Sequence, residues 1–131
     1  MQRCGGVSPE STIPKIVVVD AERAVRSTVS NILKRAGYAV HAAGEFRQAL
    51  QMIESSRPDL VLTNVFLNGI TGRDAIHQIK DRCPDVRVLM VSGLPDDEAI
   101  RELTKTDRFD VFPKPFKASD LIAKVKQVLQ D

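Results

Sequence analysis

Cysteine is scarce in this 131-residue chain: only Cys4 and Cys83, far apart and neither in a Cys-x-x-Cys pair. With only His41 and His77 to join them, they form no zinc set. Nor do they form a disulfide framework, so a reducing compartment is the expectation. No apolar run approaches the roughly 20 residues that span a bilayer, which excludes a membrane helix. The first residues, MQRCGGVSPE, lack the apolar stretch of a secretory signal, and the expected location is the cytoplasm. Charge of one sign is barely in excess. Nineteen basic and 17 acidic residues leave a net charge of +2, too little to argue for nucleic acid even at a pI near 8.7. A phosphate-cradling glycine loop of the GxGxxG or GxxxxGKS/T kind is missing as well. What remains is the balance of a globular protein, 43% apolar and 27% charged, of one domain's length.

Residues 1–14 are polar and punctuated by Gly5, Gly6, Pro9 and Pro14, so a flexible tail is expected there and a single domain over 15–131. Within the domain, short apolar runs alternate with helical patterns. The run Ile16-Val17-Val18-Val19 ends at Asp20. Val25, Val29, Ile32, Leu33 and Ala36 then mark one helix face, closed by Gly37 at the position after the cap. A strand is expected over 38–42, then a helix carrying Phe46, Ala49, Leu50 and Ile53 that Pro58 stops. Leu60-Val61-Leu62 ends at Thr63-Asn64, and a third helix carries Ala75, Ile76 and Ile79. The run Val86 to Val91 closes at Ser92-Gly93, and Pro95 to Glu98 read as the first turn of a fourth helix. A fifth strand is expected near 109–113, before Lys114-Pro115 and a final helix with Leu121, Ile122, Val125, Val128 and Leu129.

The order is βαβαβαβαβα, and the strand segments are continuous apolar runs, which implies burial on both faces. This predicts a three-layer α/β/α sandwich around a five-stranded parallel sheet, with the flavodoxin-like order 2-1-3-4-5. Such sheets bind ligands at the carboxyl ends of their strands, at the switch between the first and third. Asp20-Ala21-Glu22, Asn64, Ser92 and Lys114 all fall on that edge. Taken singly, Asp20 caps a helix, Glu22 is a first-turn acid and Lys114 neutralises Asp20; together they make a polar pocket.

From about residue 15 to 130 the chain resembles the receiver domain of two-component response regulators. The resemblance rests on Lys15-Ile16-Val17-Val18-Val19-Asp20, Pro58-Asp59-Leu60-Val61-Leu62-Thr63-Asn64, the Ser92 position and Lys114-Pro115-Phe116. It implies a phosphoryl group passed from a histidine kinase to an aspartate at the end of strand three. The carboxylate attacks phosphorus, acids after strand one hold Mg²⁺, and a lysine and a hydroxyl contact the transferred group.

The sequence keeps Ser92 and Lys114 for the last role and departs in the others. Asn64 stands at the phosphoacceptor position, and its carboxamide is a poor nucleophile. Ala21, with no ligand atom, stands where a direct Mg²⁺ carboxylate is usual, beside Asp20 and Glu22. Val111, next to Phe112, stands where an aromatic side chain often switches between buried and exposed, so that coupling is in doubt. The expectation is a degenerate pseudo-receiver with no catalytic residue, weak or absent Mg²⁺ and no other cofactor. It would act as an interaction module, not an enzyme, for signalling proteins such as a histidine kinase or an output domain, without direct contact to nucleic acid or membrane. Two alternatives stand beside it. One is a conventional phosphoacceptor using another carboxylate, although Asp59 begins its strand and Asp74 suits a helix N-terminus. The other is a flavodoxin-like binder of a small ligand.

Overall fold

A computed structural model describes residues 13–64, 72–92, 110–113 and 117–130. The strands are β1 (Lys15–Val19), β2 (Ala39–Ala43), β3 (Leu60–Asn64), β4 (Arg87–Ser92) and β5 (Asp110–Pro113). The helices are α1 (Arg23–Arg35), α2 (Phe46–Ser56), α3 (Gly72–Arg82) and α4 (Ala118–Gln130). The helix expected from Pro95 onward and most of the N-terminal tail lie outside the described residues.

All strand pairs are parallel, and the sheet order is β2-β1-β3-β4-β5. Because successive side chains on a strand point to opposite faces, each apolar run divides between two cores. Val17, Val19, Val61, Val88 and Met90 pack with Ala49, Leu50 and Ile53 of α2 and Ala75, Ile76 and Ile79 of α3. Ile16, Val18, Leu60, Leu62, Leu89 and Val91 pack with Val29 and Leu33 of α1 and Leu121, Val125 and Val128 of α4. Helices therefore cover both faces, as the unbroken apolar runs require.

The end of α1 is a Schellman motif. The Gly37 amide donates to the Lys34 carbonyl at 3.0 Å and the Tyr38 amide to the Leu33 carbonyl at 3.1 Å. Gly37 has φ 101°, which a side chain disfavours. Since Tyr38 belongs to this cap, β2 begins at Ala39, one residue later than its composition suggests. Helix α2 ends at Ser56, before Pro58, through Arg57 in the left-handed region at φ 49°. Cys83 is buried between α3 and the sheet. Among the described residues, no helix is long and apolar enough to cross a membrane.

Candidate functional site at the carboxyl edge

The register brings the strand ends to one level. Val19 pairs with Thr63 and Asn64 with Val91, so Asp20, one residue beyond Val19, stands level with Asn64 on the neighbouring strand. Ser92 pairs with Pro113, and β5 places Val111 opposite Met90. Helix α1 leaves β1 toward one face while α2 approaches from the other. The edge between β1 and β3 is therefore the point where crossovers diverge and leave a crevice. Lys114 lies outside the described residues, as does the segment following Asn64.

Asp20 is the best-defined polar group here. It is buried, 6% exposed, at the end of an apolar strand. Its Oδ1 accepts a hydrogen bond from the Glu22 amide at 2.9 Å, an Asx turn that keeps the carboxylate folded over its own loop. Its amide donates to the Ala43 carbonyl at 3.1 Å, extending the β1–β2 pairing by one step. Arg26 Nη1 donates to the Asp20 carbonyl at 2.8 Å. Buried polar atoms need such partners, and Asp20 has one at its carboxylate, amide and carbonyl alike.

Two expectations for the single residues are corrected. Asp20 does not cap α1: its oxygen reaches the Glu22 amide, before the first helical residue. Nor is Glu22 a first-turn acid. It is the N-cap residue, with extended backbone and no side-chain cap bond, and its carbonyl accepts from the Arg26 amide at 2.9 Å. Glu22 and Ala21 are both exposed.

Asp59 is at the opposite edge. Its Oδ2 accepts from the Lys15 amide at 2.8 Å and its own amide donates to the Lys15 carbonyl at 2.8 Å, tying the start of β1 to the start of β3. Asp74 is exposed in the first turn of α3, where an acid suits the positive end of the helix dipole. Among the described residues, no cluster of three histidine, cysteine, aspartate or glutamate side chains could hold a metal ion. The residues missed by pattern reading are Arg26 and Gly44. Their only signal was a glycine directly after β2, on the same edge as Asp20.

The sequence matches the family described as the response regulator receiver domain over residues 16–126. The chain is 31% identical over 118 residues to the response regulator MprA of Mycolicibacterium vanbaalenii, covering 88% of this chain and 50% of that protein. It is 30% identical over 117 residues to the sensor kinase CckA of Brucella abortus, covering 88% of this chain and 12% of that protein. The chain thus spans half or less of the length of these curated relatives. Among solved structures, NtrX from Brucella abortus superposes with a TM-score of 0.83 at 30% identity, over 91% of this chain and 27% of that one. The chemotaxis protein CheY4 of Vibrio cholerae superposes with a TM-score of 0.82 at 24% identity, over 89% of this chain and 99% of that one, a likeness of fold. With a parallel α/β sheet, an acidic turn after β1 and this family match over most of its length, the chain belongs to the response regulator receiver domain family.

Proposed function

We propose that this receiver domain of two-component signalling works without phosphorylation, as a protein-interaction module whose partner is a histidine kinase or an output domain. The observation that carries the proposal is Asn64 at the end of β3, level with Asp20 on β1. Phosphoryl transfer at this edge needs an anionic oxygen as nucleophile, and a neutral carboxamide does not supply one at ordinary pH. Ser92 and Lys114 remain by position as phosphoryl contacts. Val111 replaces the usual aromatic switch with a short side chain, which favours an interaction face held in one state.

The donor set does not fit Mg²⁺. A hard cation takes several anionic or neutral oxygens in octahedral array. Asp20 has one oxygen committed to the Glu22 amide, Ala21 offers no donor, and Glu22 is exposed at the N-cap. Binding at millimolar Mg²⁺ should be weak or absent, and a titration followed by NMR that shows a site at Asp20 would defeat that expectation. A cytoplasmic location belongs to the same proposal.

The direct test is incubation with a small phosphodonor and Mg²⁺, followed by intact-mass measurement. The expected spectrum shows no added phosphoryl group. An adduct mapped to an aspartate near the carboxyl edge would replace this proposal with a conventional receiver using another carboxylate.

A further inference from the structure

Two glycines of the described chain stand in opposite circumstances. At Gly37 the backbone demands glycine, with φ +101°, while a Cβ there would meet nothing within 4 Å. At Gly44, the residue after β2, no such backbone demand exists. A Cβ built there would instead lie 2.5 Å from Arg26 Nη1, 3.2 Å from Cζ and 3.7 Å from Nη2. The guanidinium of Arg26 thus occupies the space that any side chain at position 44 would need. From that seat, Nη1 donates to the Asp20 carbonyl at 2.8 Å. The adjoining link, the Asp20 amide to the Ala43 carbonyl at 3.1 Å, joins the same two loops through the backbone. Arg26 is half-buried, so its bond is only partly exposed to competing water.

We propose that Arg26 positions Asp20 from its seat against Gly44 and is a resident cation of the carboxyl edge beside Asp20. A guanidinium stays protonated at every pH a protein survives, and its planar fork can lie flat on a glycine while one nitrogen donates. It holds the acidic turn in one geometry without a metal ion and places a fixed positive charge beside the position of Ala21. A divalent cation entering there would meet that charge. The first half, the seat, stands on geometry alone; the second rests on the receiver pocket proposed above.

Two measurements on the full chain test the proposal. The first is a double-mutant cycle of Gly44→Ala and Arg26→Ala, read by chemical unfolding. The expected result is that Gly44→Ala lowers the folding equilibrium constant about threefold when Arg26 is present, because the guanidinium must leave the Asp20 carbonyl, and leaves it nearly unchanged when Arg26 is absent. Additive effects would overturn the seat. The second is calorimetric titration of MgCl₂ into the Ala21→Asp/Asn64→Asp chain and into the same chain with Arg26→Gln or Arg26→Lys. The glutamine should raise Mg²⁺ affinity roughly three- to tenfold, the scale of a unit charge acting on a divalent ion near a protein surface. The lysine, keeping the charge, should not. An unchanged or weaker affinity with glutamine would overturn the cation role, since a merely structural clip loosens the site when removed. If none of the three chains binds Mg²⁺, both the receiver-derived pocket and the cation role fall, while the unfolding cycle still decides the seat.

Discussion

Changing Ala21→Asp and Asn64→Asp together should make the stability of this protein depend on Mg²⁺. Position 64 lies on the strand next to Asp20 and level with it, with backbones about 5 Å apart by ordinary strand spacing, so a carboxylate there would bear a charge close to that of Asp20. Asp20 is buried, with one oxygen held by the Glu22 amide, so it cannot turn away without losing that bond. At an effective dielectric of about 20–40, two unit charges at 5–6 Å repel by roughly 1–3 kcal/mol. Position 21 is exposed, so an aspartate there is solvated and adds little repulsion of its own. For a 131-residue chain the unfolding entropy converts 1 kcal/mol into roughly 4 °C of Tm. The double variant in EDTA should therefore melt about 4–12 °C below the parent. Mg²⁺ at ten times its dissociation constant should return about 1.4 kcal/mol, or roughly 5 °C. The assay is thermal unfolding followed by circular dichroism, with and without metal, alongside intact mass after treatment with a phosphodonor. Asn64→Asp alone should take the phosphoryl group slowly, because the metal site stays incomplete; the pair should take it measurably. Equal melting with and without Mg²⁺, together with no adduct, would refute the reasoning, because the pocket would then differ at more than these two positions.

Ser30 is buried on α1 and its hydroxyl has no hydrogen-bond partner among the described residues, so Ser30→Ala should stabilise the protein by about 1–2 kcal/mol in urea unfolding; a loss of stability would show that the hydroxyl is satisfied after all. Arg57 sits at φ 49°, and Arg57→Gly should raise stability by about 0.5–1 kcal/mol by removing the left-handed strain, where an unchanged midpoint would contradict it. Burial raises the Tyr38 pKa above its ordinary value of 10.0, so the folded state prefers the neutral phenol. That contribution is complete below about pH 10 and is lost as pH rises through the raised folded pKa. Tyr38→Phe should flatten the decline of Tm above pH 10, and an equal decline in both proteins would assign it elsewhere.

The sheet was legible in the sequence because its runs are apolar at every position. Ile16 to Val19 and Leu60 to Leu62 can only be buried on both faces, and Gly37 marks its helix end through a backbone conformation that other residues avoid. The acidic turn after β1 was legible for a related reason: an aspartate ending such a run must lie at a strand end, and the parallel order puts all strand ends on one edge. Chain pattern alone could not show what Asp20 does there. An aspartate before a helix commonly caps it, yet Asp20 bonds the Glu22 amide and leaves the N-cap to a residue without a side-chain bond, because the loop reaches its Asx turn before the helix begins. The pairing of Arg26 with Gly44 was invisible for a deeper reason. Seventeen residues of helix, turn and strand lie between them, and neither carries a local signal of the other. Only the parallel return of β2 beside β1 brings the start of the next loop under the first turn of α1, where a missing side chain on one leaves room for the guanidinium of the other.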